Sequence, residues 1–446
     1  MPIRLYNSLS RTVEDFAPRT SGHVDMFVCG PTVYDFIHLG NARTFTAFDV
    51  IAKWLRYRGL DVTYLQNITD IDDKILTRAA EQNQDPLEYA RRFEEEFHAD
   101  MQAIGNDAIS QHARATDHID QVRAQVKTLI ARNHAYLIEG DGWYFDLATF
   151  PDYGKLSGRT GLAADDAVTR IDDSDKKRNA GDFALWKLSK PGEPSWDDAE
   201  LGAGRPGWHI EDTAITEHYF GPQYDLHGGG MDLKFPHHEA EVAQQEAASG
   251  LVPFVRYWMH AGFLQIDQKR MGKSMGNMMT LRKALEQWPA HVLRFFFLSG
   301  HYRSPLDFSD ASLQAAQAAV ARIGELARKS SSTILPANEA IARISEAMDD
   351  DFNTPAAMAA AFDFIRTANT HNAVPEKAFF SFLSDQFGIV PEGDAPLPED
   401  IQKLVDERSL AREQKDWATS DQLRDRLAEL GYTVDDTSYG PLVKRS

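Results

Sequence analysis

Apolar residues near the start of the chain follow two different spacings, which predict a strand, a helix and a second strand in that order. The apolar run at 23–29 predicts a strand that ends at Gly30. From about 40 to 58, apolar residues recur at intervals of three and four, which indicates a helix that ends at Gly59. Alternating and β-branched residues at 61–66 predict the next strand. This order is a βαβ unit, so we predict an α/β fold with a parallel sheet.

The middle of the chain changes in composition. Residues 86–136 are charged and helical in pattern, whereas 150–205 are rich in Gly, Asp, Ser and Pro. Another strand is predicted at 223–226, three glycines follow at 228–230, and the next helix spans about 236–248. The Gly- and Pro-rich stretch is therefore interpreted as an insertion in the sheet domain.

The C-terminal part of the chain predicts a helical bundle and then a small module. Segments 312–328, 337–348 and 354–371 are amphipathic and rich in alanine. The stretch 391–399 is rich in Pro, Gly and acidic residues, which is typical of a linker. The terminal module, about 400–446, combines two helical patterns with a strand fragment.

Composition excludes several classes of protein. With 446 residues and 43% hydrophobic residues, the chain is too apolar to be disordered and long enough for several domains. A single cysteine excludes an intramolecular disulfide, and no apolar run approaches the roughly 20 residues that span a bilayer. We expect a soluble protein of the cytoplasm. The net charge of −20 argues mildly against a nucleic-acid partner, although local basic patches decide such binding.

The junction between the first strand and helix carries the first candidate chemistry. The start of a helix presents free N–H groups and a positive dipole end, which attract phosphate. His38 and Asn41 stand at this start and can donate to phosphoryl oxygens, and Gly40 permits close approach. An ordinary strand–helix junction with a capping Asn is the alternative interpretation.

A second candidate is a metal site. His237 and Glu241 are four residues apart in a predicted helix, so both lie on one face and can share a metal ion. Cys29 and Asp212 are possible further ligands, which would give tetrahedral zinc one sulfur, one nitrogen and two oxygen donors. The alternative is a surface pair of little energetic weight.

Two glycine-containing segments are weaker candidates. In the loop 270–277, Lys273 can stabilise charge on a phosphate that is being transferred. After the strand at 223–226, Asp232 can accept a hydrogen bond from a ribose or an amino group. A solvated basic loop and a tight turn are the respective alternatives.

Taken together, these segments resemble the cysteine–tRNA ligases, which are class I aminoacyl-tRNA synthetases. The run His38-Leu39-Gly40-Asn41 is similar to the first class I signature, and 270–274 to the second. The likeness extends over about residues 3–445. The segments that carry it are 29–43, 67–75, 182–187, 191–196, 204–211, 232–239, 270–274 and 348–355.

The resemblance implies that the chain uses ATP to attach cysteine to tRNA(Cys) through a cysteinyl-adenylate. It also implies one Zn²⁺ per chain, held by Cys29, His237 and Glu241, with Asp212 at the fourth ligand position. Zinc binds thiolate in preference to an alcohol, and so separates cysteine from the nearly isosteric serine.

The resemblance assigns further residues to ATP, which enters with Mg²⁺, and to the substrate pocket. The resemblance implies contact with the ATP phosphates for His38, Asn41 and Lys273. It implies contact with the adenosine and the substrate amine for His227, Gly228 and Asp232. Thr69, Trp208 and Asp232 would line the cysteine pocket.

The implied fold is a Rossmann-type parallel-sheet catalytic core at 1–115 and 205–310, with a connective insertion at 116–204. A helical tRNA-contacting bundle at 311–390 and an anticodon-binding module at 400–446 follow. We expect a monomer with no membrane partner.

Three departures from the family pattern change the expectations. Asp212 replaces the family's second zinc cysteine, so zinc affinity should differ, unless Asp212 turns away and water or substrate completes the shell. Arg270 and Gly272 alter the second signature, although Lys273 is retained. Val443 stands where an aromatic residue is usual, which leaves anticodon reading open, with Tyr439 as a possible substitute.

Two other interpretations remain. One is a paralogue that activates cysteine or another small amino acid and transfers it to a small-molecule amine. The other is a catalytically silent, synthetase-like RNA-binding protein. The helical bundle and terminal module disfavour the first, and the retained signature residues disfavour the second.

The Lys273→Ala variant tests the role of the second signature. Removing a fixed cation next to developing charge should slow ATP–pyrophosphate exchange by about 100-fold or more. Cysteine binding, measured by equilibrium dialysis, should weaken far less. Exchange at the wild-type rate would contradict the assignment.

Overall fold

The structure is a computed structural model of the 446-residue chain. It describes residues 2–159, 174–266, 269–270, 279–329, 331–391, 398–437 and 440–445.

The described residues form strands and helices in the following order. The strands are β1 Arg4–Asn7, β2 Thr12–Asp15, β3 His23–Val28, β4 Asp61–Ile68, β5 Gln111–Arg114, β6 Ala135–Ile138, β7 Gly142–Phe145, β8 Phe183–Leu188, β9 Gly204–Pro206, β10 Tyr224–Gly230, β11 Val255–Ala261, β12 Leu264–Ile266, β13 Lys269–Arg270, β14 Leu306–Phe308, β15 Ile334–Leu335, β16 Val374–Pro375, β17 Tyr432–Thr437 and β18 Gly440–Arg445. The helices are α1 Leu39–Tyr57, α2 Asp73–Glu81, α3 Pro86–Ile104, α4 Ile119–Ala131, α5 Ile210–Phe220, α6 Glu239–Ser249, α7 Leu281–Leu285, α8 Ala290–Leu298, α9 Asp310–Arg328, α10 Asn338–Asp349, α11 Thr354–Thr370, α12 Lys377–Phe387, α13 Glu399–Glu413 and α14 Trp417–Glu429.

A five-stranded parallel sheet in the order β11-β10-β3-β4-β5 forms the centre of the protein. The predicted βαβ unit is confirmed as β3, α1 and β4, and α1 buries Phe48 and Trp54 against the core. Chain order reverses at β3, because β4 lies on one side of it and β10 on the other. Ligands of open α/β sheets bind beyond the carboxyl ends of the strands at such a reversal.

The prediction of helix throughout 86–136 was wrong at residues 111–114. These residues form β5, the edge strand that pairs with β4. Only Ala113 of its four residues is buried, so the strand is too short and too exposed to give an alternating pattern. The chain then passes through α4 into a four-stranded antiparallel sheet, β6-β7-β8-β9, which has its own apolar clusters and is inserted between β5 and α5.

Helices α9 to α12 form the predicted bundle, whose core is continuous with that of the central sheet. Three consecutive carboxylates at the end of α10 also connect the two. Asp349 Oδ1 accepts from Trp54 Nε1 at 3.2 Å, and Asp350 Oδ1 lies 3.5 Å from Arg4 Nη1. Asp351 Oδ1 accepts from the backbone N–H of Tyr6 at 2.8 Å, so α1 and β1 are both attached to the bundle.

The terminal module consists of α13, α14 and the antiparallel pair β17-β18. Its small core is separate from the other apolar clusters and contains Val434 and Val443. Val443 therefore packs inside the module. Residues 392–397 of the predicted linker and Tyr439 lie outside the described residues. No helix in the described part of the chain is long and apolar enough to cross a membrane.

A buried ion pair connects four elements at the base of the core. Arg294 Nη2 donates to Asp49 Oδ2 at 2.7 Å, Nη1 donates to Asn106 Oδ1 at 2.7 Å, and Nε donates to the carbonyl of Phe387 at 2.7 Å. Burial alone would raise the pKa of Asp49, but the charges of Arg294 and Lys53 hold it below its ordinary value.

The Arg294→Met variant should lose about 3–5 kcal/mol of the free energy of unfolding, because Asp49 would remain buried without its partner. Adding Asp49→Asn should recover part of that loss. Arg426→Met, which removes an exposed pair with Glu429, is the control and should cost less than about 0.5 kcal/mol. Urea denaturation measures all three, and equal losses in Arg294→Met and Arg426→Met would contradict the expectation.

Candidate metal centre and cleft

A cavity of about 550 Å³ opens beyond the carboxyl ends of β3 and β10. This volume lies within the range of small-molecule sites in proteins. Five of the residues that the sequence analysis selected line it, namely Cys29, His38, Asn41, Trp208 and Asp232.

The start of α1 forms one wall of the cavity. His38 is the N-cap residue, and its Nδ1 accepts from the backbone N–H of Asn41 at 3.2 Å. Asn41 Oδ1 accepts in return from the backbone N–H of His38 at 3.4 Å, which completes a capping box. A Cβ on Gly40 would lie 2.9 Å from the His38 ring, so only glycine allows the ring this close to the backbone. Both candidate phosphate-binding residues are thus fixed by the helix that they cap.

Lys273 and the rest of 271–278 lie outside the described residues. The chain that follows this segment is bonded to the start of α1, because the carbonyl of Met279 accepts from the backbone N–H of Leu39 at 3.0 Å. On the preceding side, Arg270 pairs with Gln265 of β12.

The four candidate metal ligands come together around Cys29, which lines the cavity, and all four are buried. His237 Nε2 lies 3.0 Å from Asp212 Oδ2 and 3.0 Å from Glu241 Oε1. Cys29 Sγ lies 3.4 Å from Asp212 Oδ2 and 3.9 Å from Glu241 Oε1. Donor atoms bound to one tetrahedral Zn²⁺ at about 2.0–2.3 Å are separated by about 3.3–3.7 Å, so the cluster has the size of a zinc site.

Asn67 determines the orientation of Asp212. Its Nδ2 donates to Asp212 Oδ1 at 2.6 Å, while its Oδ1 accepts from the backbone N–H of Gly30 at 2.6 Å. The other oxygen, Asp212 Oδ2, consequently points toward Cys29 and His237. Asp212 is therefore directed into the cluster and does not turn away from it.

The cluster carries more acidic groups than its protein surroundings neutralise. Burial, followed by repulsion from Glu241 and Asp212, raises the pKa of the Cys29 thiol well above its ordinary value. Burial and repulsion from Asp212 likewise raise the pKa of Glu211 and Glu241. Glu241 Oε2 is buried without a hydrogen-bond partner. Buried charge of one sign is costly without a counter-charge, so the donor set suits a divalent cation.

The remaining candidate residues occupy different surroundings. Thr69 is buried beside the cluster, where its hydroxyl donates to Glu211. Trp208 stacks on His237 with 4.5 Å between ring centroids. Gly228 packs against Phe48, because a Cβ there would lie 2.4 Å from that ring.

His227 points into the cluster, with its Nε2 3.3 Å from Cys29 Sγ. His238 lies beside it, with its Nε2 3.1 Å from the same sulfur. Sequence reasoning did not select His238. Its position next to His237, at the start of a helix, was the available signal.

Three family models match successive parts of the chain. The class I (C) tRNA synthetase catalytic domain matches residues 15–318, and the DALR domain matches 343–383. The cysteinyl-tRNA ligase anticodon binding domain matches 394–439.

Curated relatives cover the whole chain. The cysteine–tRNA ligase of Heliobacterium modesticaldum is 43% identical, with 100% of both chains covered. That of Thioalkalivibrio sulfidiphilus is 44% identical, with 99% of this chain and 100% of the relative covered.

Solved structures share the fold at low sequence identity. The Mycobacterium tuberculosis methionyl-tRNA synthetase, in complex with methionyl-adenylate, superposes with a TM-score of 0.61 at 15% identity and covers 89% of this chain and 96% of its own. The LeuRS of Agrobacterium radiobacter K84, in a ternary complex with tRNA and LeuAMS, gives a TM-score of 0.59 at 11% identity, with coverages of 84% and 85%.

The Asn67→Ala variant should weaken Zn²⁺ binding by about 10–100-fold, because Asp212 would lose the group that orients it. Asn106→Ala is the matched control, since Asn106 is a buried amide that contacts Arg294 and not the cluster. Competition with a chelating dye measures both affinities. An equal decrease in the two variants would show that the effect comes from general destabilisation.

Proposed function

The chain belongs to the cysteine–tRNA ligase family, and from this premise we propose how its cleft carries out the reaction. The carboxylate of cysteine attacks the α-phosphate of ATP and forms cysteinyl-adenylate and pyrophosphate. The cysteinyl group then passes to the terminal adenosine of tRNA(Cys), and AMP leaves. The observation that carries the proposal is the buried cluster around Cys29, which opens into the same cavity as the start of α1.

We assign Cys29, Asp212, His237 and Glu241 to one Zn²⁺, which when bound would hold the substrate sulfur as a thiolate. His209 supports this set, because its Nδ1 lies 2.8 Å from Nδ1 of His237 and so fixes the orientation of that ring. Serine offers an alcohol in place of the thiol and is the substrate to be excluded. All four ligands are buried, so the proposed metal position is shielded from bulk water.

The proposed ATP position lies at the start of α1. His38 and Asn41 face the phosphates, and the positive end of the helix favours the negative charge. By the family resemblance, Lys273 would add a cation, and Mg²⁺ would accompany the phosphates. We place Asp232 near the substrate amine and the adenosine, because it lines the same cavity as His38 and Asn41. His227 and Gly228 belong to β10, the strand that leads to Asp232, and Thr69 is buried beside the proposed cysteine pocket. No side chain has to act as a nucleophile, so the residues contribute alignment and charge stabilisation.

tRNA is favoured as the acceptor over a small-molecule amine, since the chain retains the family's anticodon binding domain. Charging of purified tRNA with radiolabelled cysteine tests this directly, with serine as the control amino acid. Transfer to tRNA is expected. Adenylate formation without transfer would favour the paralogue, and the absence of both steps would favour a silent RNA-binding protein.

The Asp212→Ala variant should reduce kcat/KM for cysteine in ATP–pyrophosphate exchange by about 100-fold, because the pocket loses one ligand of its metal. The KM for ATP should change little. Asp212→Cys restores the family's donor and should keep activity while it tightens zinc binding. The control is Asp225→Ala, a buried aspartate that accepts from the backbone N–H of Arg19 at 2.6 Å. Equal losses in Asp212→Ala and Asp225→Ala would contradict the assignment.

A further inference from the structure

Helix α3 presents a row of aromatic and acidic side chains to the segment that precedes α1. Spacings of four, three and four residues place this row on one face of the helix, and its members are Tyr89, Phe93, Glu96 and Asp100. Tyr89 Oη donates to the backbone carbonyl of Tyr34 at 3.0 Å. The Phe93 ring meets Phe36 edge-on, with 5.4 Å between ring centroids. The first half of the row therefore contacts the chain two to four residues before His38.

Arg282 of α7 occupies the second half of the row. Its Nε donates to Asp100 Oδ1 at 2.7 Å. Its Nη2 donates to the backbone carbonyl of Glu96 at 3.2 Å and also to the carboxylate of that residue. The guanidinium carbon lies 4.6 Å from the centre of the Phe36 ring, which is within the range of a cation–π contact. One side chain of α7 thus contacts both α3 and the segment before α1.

Backbone hydrogen bonds join α7 to the start of α1 as well. The N–H of Leu39 donates to the carbonyl of Met279 at 3.0 Å, and the N–H of Leu281 donates to the carbonyl of Ile37 at 3.0 Å. His38, the N-cap residue of α1, lies between these two bonds in the chain. The position of His38 therefore depends on where the start of α7 is held.

Helix α7 cannot fix its own position. It has only five residues, Leu281–Leu285, and a helix of one to two turns is not stable without tertiary contacts. Leu281 and Ala284 are buried against the core, whereas the polar attachment to α3 is made by Arg282. Loss of that attachment would leave the backbone bonds to residues 37 and 39 without lateral support.

Asp100 supplies an independent observation on the same contact. It is 2% exposed, and within the described part of the chain its Oδ2 is buried without a hydrogen-bond partner. Burial raises the pKa of Asp100 above its ordinary value, and the hydrogen bond and charge of Arg282 act in the opposite direction. A carboxylate this deeply buried is costly without a cation, so Arg282 is held at this place by more than a surface ion pair.

We propose that Arg282 is a positioning residue for adenylate formation, which holds His38 in place at the ATP phosphates through α7 and Phe36. Phe36 and His38 line the cavity, whereas the donors of Arg282 are directed at α3, so Arg282 acts through these residues. The inference rests on the proposed function, because it requires ATP at the start of α1. Since no side chain acts as a nucleophile in that reaction, its rate depends on such alignment.

The Arg282→Met variant tests the proposal. A small displacement of His38 should lower kcat of ATP–pyrophosphate exchange by about 10–100-fold. The KM for cysteine and the zinc content should remain close to those of the wild type, because the cluster around Cys29 is not in contact with α7. Transfer from preformed cysteinyl-adenylate to tRNA(Cys), measured in a single turnover, should also keep its rate.

Arg114→Met is the matched control, because it removes an ion pair of the same helix. Arg114 Nε donates to both carboxylate oxygens of Glu94, at 2.9 and 2.8 Å, and Arg114 belongs to β5. This variant loses a contact of α3 but none to α7 or to the segment before α1. Its exchange rate should stay close to that of the wild type.

A second substitution separates positioning from stability. In Arg282→Met, Asp100 is left buried without its cation, so the free energy of unfolding should fall. The double variant Arg282→Met/Asp100→Asn removes the unpaired charge and should recover much of the urea midpoint. It should nevertheless retain the loss of kcat, and it replaces the single variant if that one does not fold.

Arg282→Lys keeps the positive charge but loses the planar guanidinium that contacts two acidic residues and the Phe36 ring. Its kcat for exchange should lie between those of the wild type and Arg282→Met. An intermediate value supports positioning by these contacts, and a rate below that of Arg282→Met would contradict it.

Four other outcomes would overturn the proposal. Wild-type exchange in the double variant would reduce Arg282 to a residue of stability, and equal losses in Arg282→Met and Arg114→Met would show a general effect on α3. A loss confined to the transfer step would indicate a contact with tRNA. If the wild-type protein itself shows no exchange, the proposed function fails, and this inference fails with it.

Discussion

The acidic groups buried around Cys29 are the constraint on which the architecture of the cleft depends. Four acidic groups, Cys29, Glu211, Asp212 and Glu241, lie where water is excluded, and the neighbouring imidazoles are neutral because burial lowers the pKa values of His209, His227 and His238. Such an arrangement is tolerable only if amides, hydroxyls and cations satisfy the oxygens. Asn67 and Thr69 donate hydrogen bonds to Asp212 and Glu211. The donor atoms that remain without such bonds are arranged as a metal ion would require.

The sheet order makes this concentration of groups possible. Because β3 lies between β4 and β10, its carboxyl end is adjacent to segments that are distant in sequence, and Cys29 meets Glu241, 212 residues later in the chain. None of these contacts exists in an unfolded chain. Binding of a metal ion at this cluster would therefore be coupled to assembly of the sheet, and part of the binding free energy would contribute to the stability of the folded state.

Local patterns in the sequence predicted the parts of the molecule that depend on local spacing. The βαβ unit, the helices of the bundle and the shared face of His237 and Glu241 follow from periodicity alone. The orientation of Asp212 depends on Asn67, which is 145 residues away in the chain, and no spacing rule connects them. His238 was missed for the same reason, because its position beside Cys29 arises from contacts between elements. The family resemblance led us to expect an exposed aromatic residue at the position of Val443. In this chain, Val443 is part of the small core of the terminal module.

The bundle is attached to the catalytic core through three consecutive residues, Asp349, Asp350 and Asp351. Within one turn of chain they hold α1 and β1, and Asp351 also accepts from Arg303 Nε at 2.6 Å, after α8. A rotation of α10 would have to break bonds to three parts of the catalytic core at once. A displacement of the bundle on binding a macromolecule would consequently also displace α1, whose first residues border the cavity. A chimera that exchanges the bundle therefore has to retain the contacts of residues 349–351 with the catalytic core. The terminal module has a core of its own, so it can be exchanged without them.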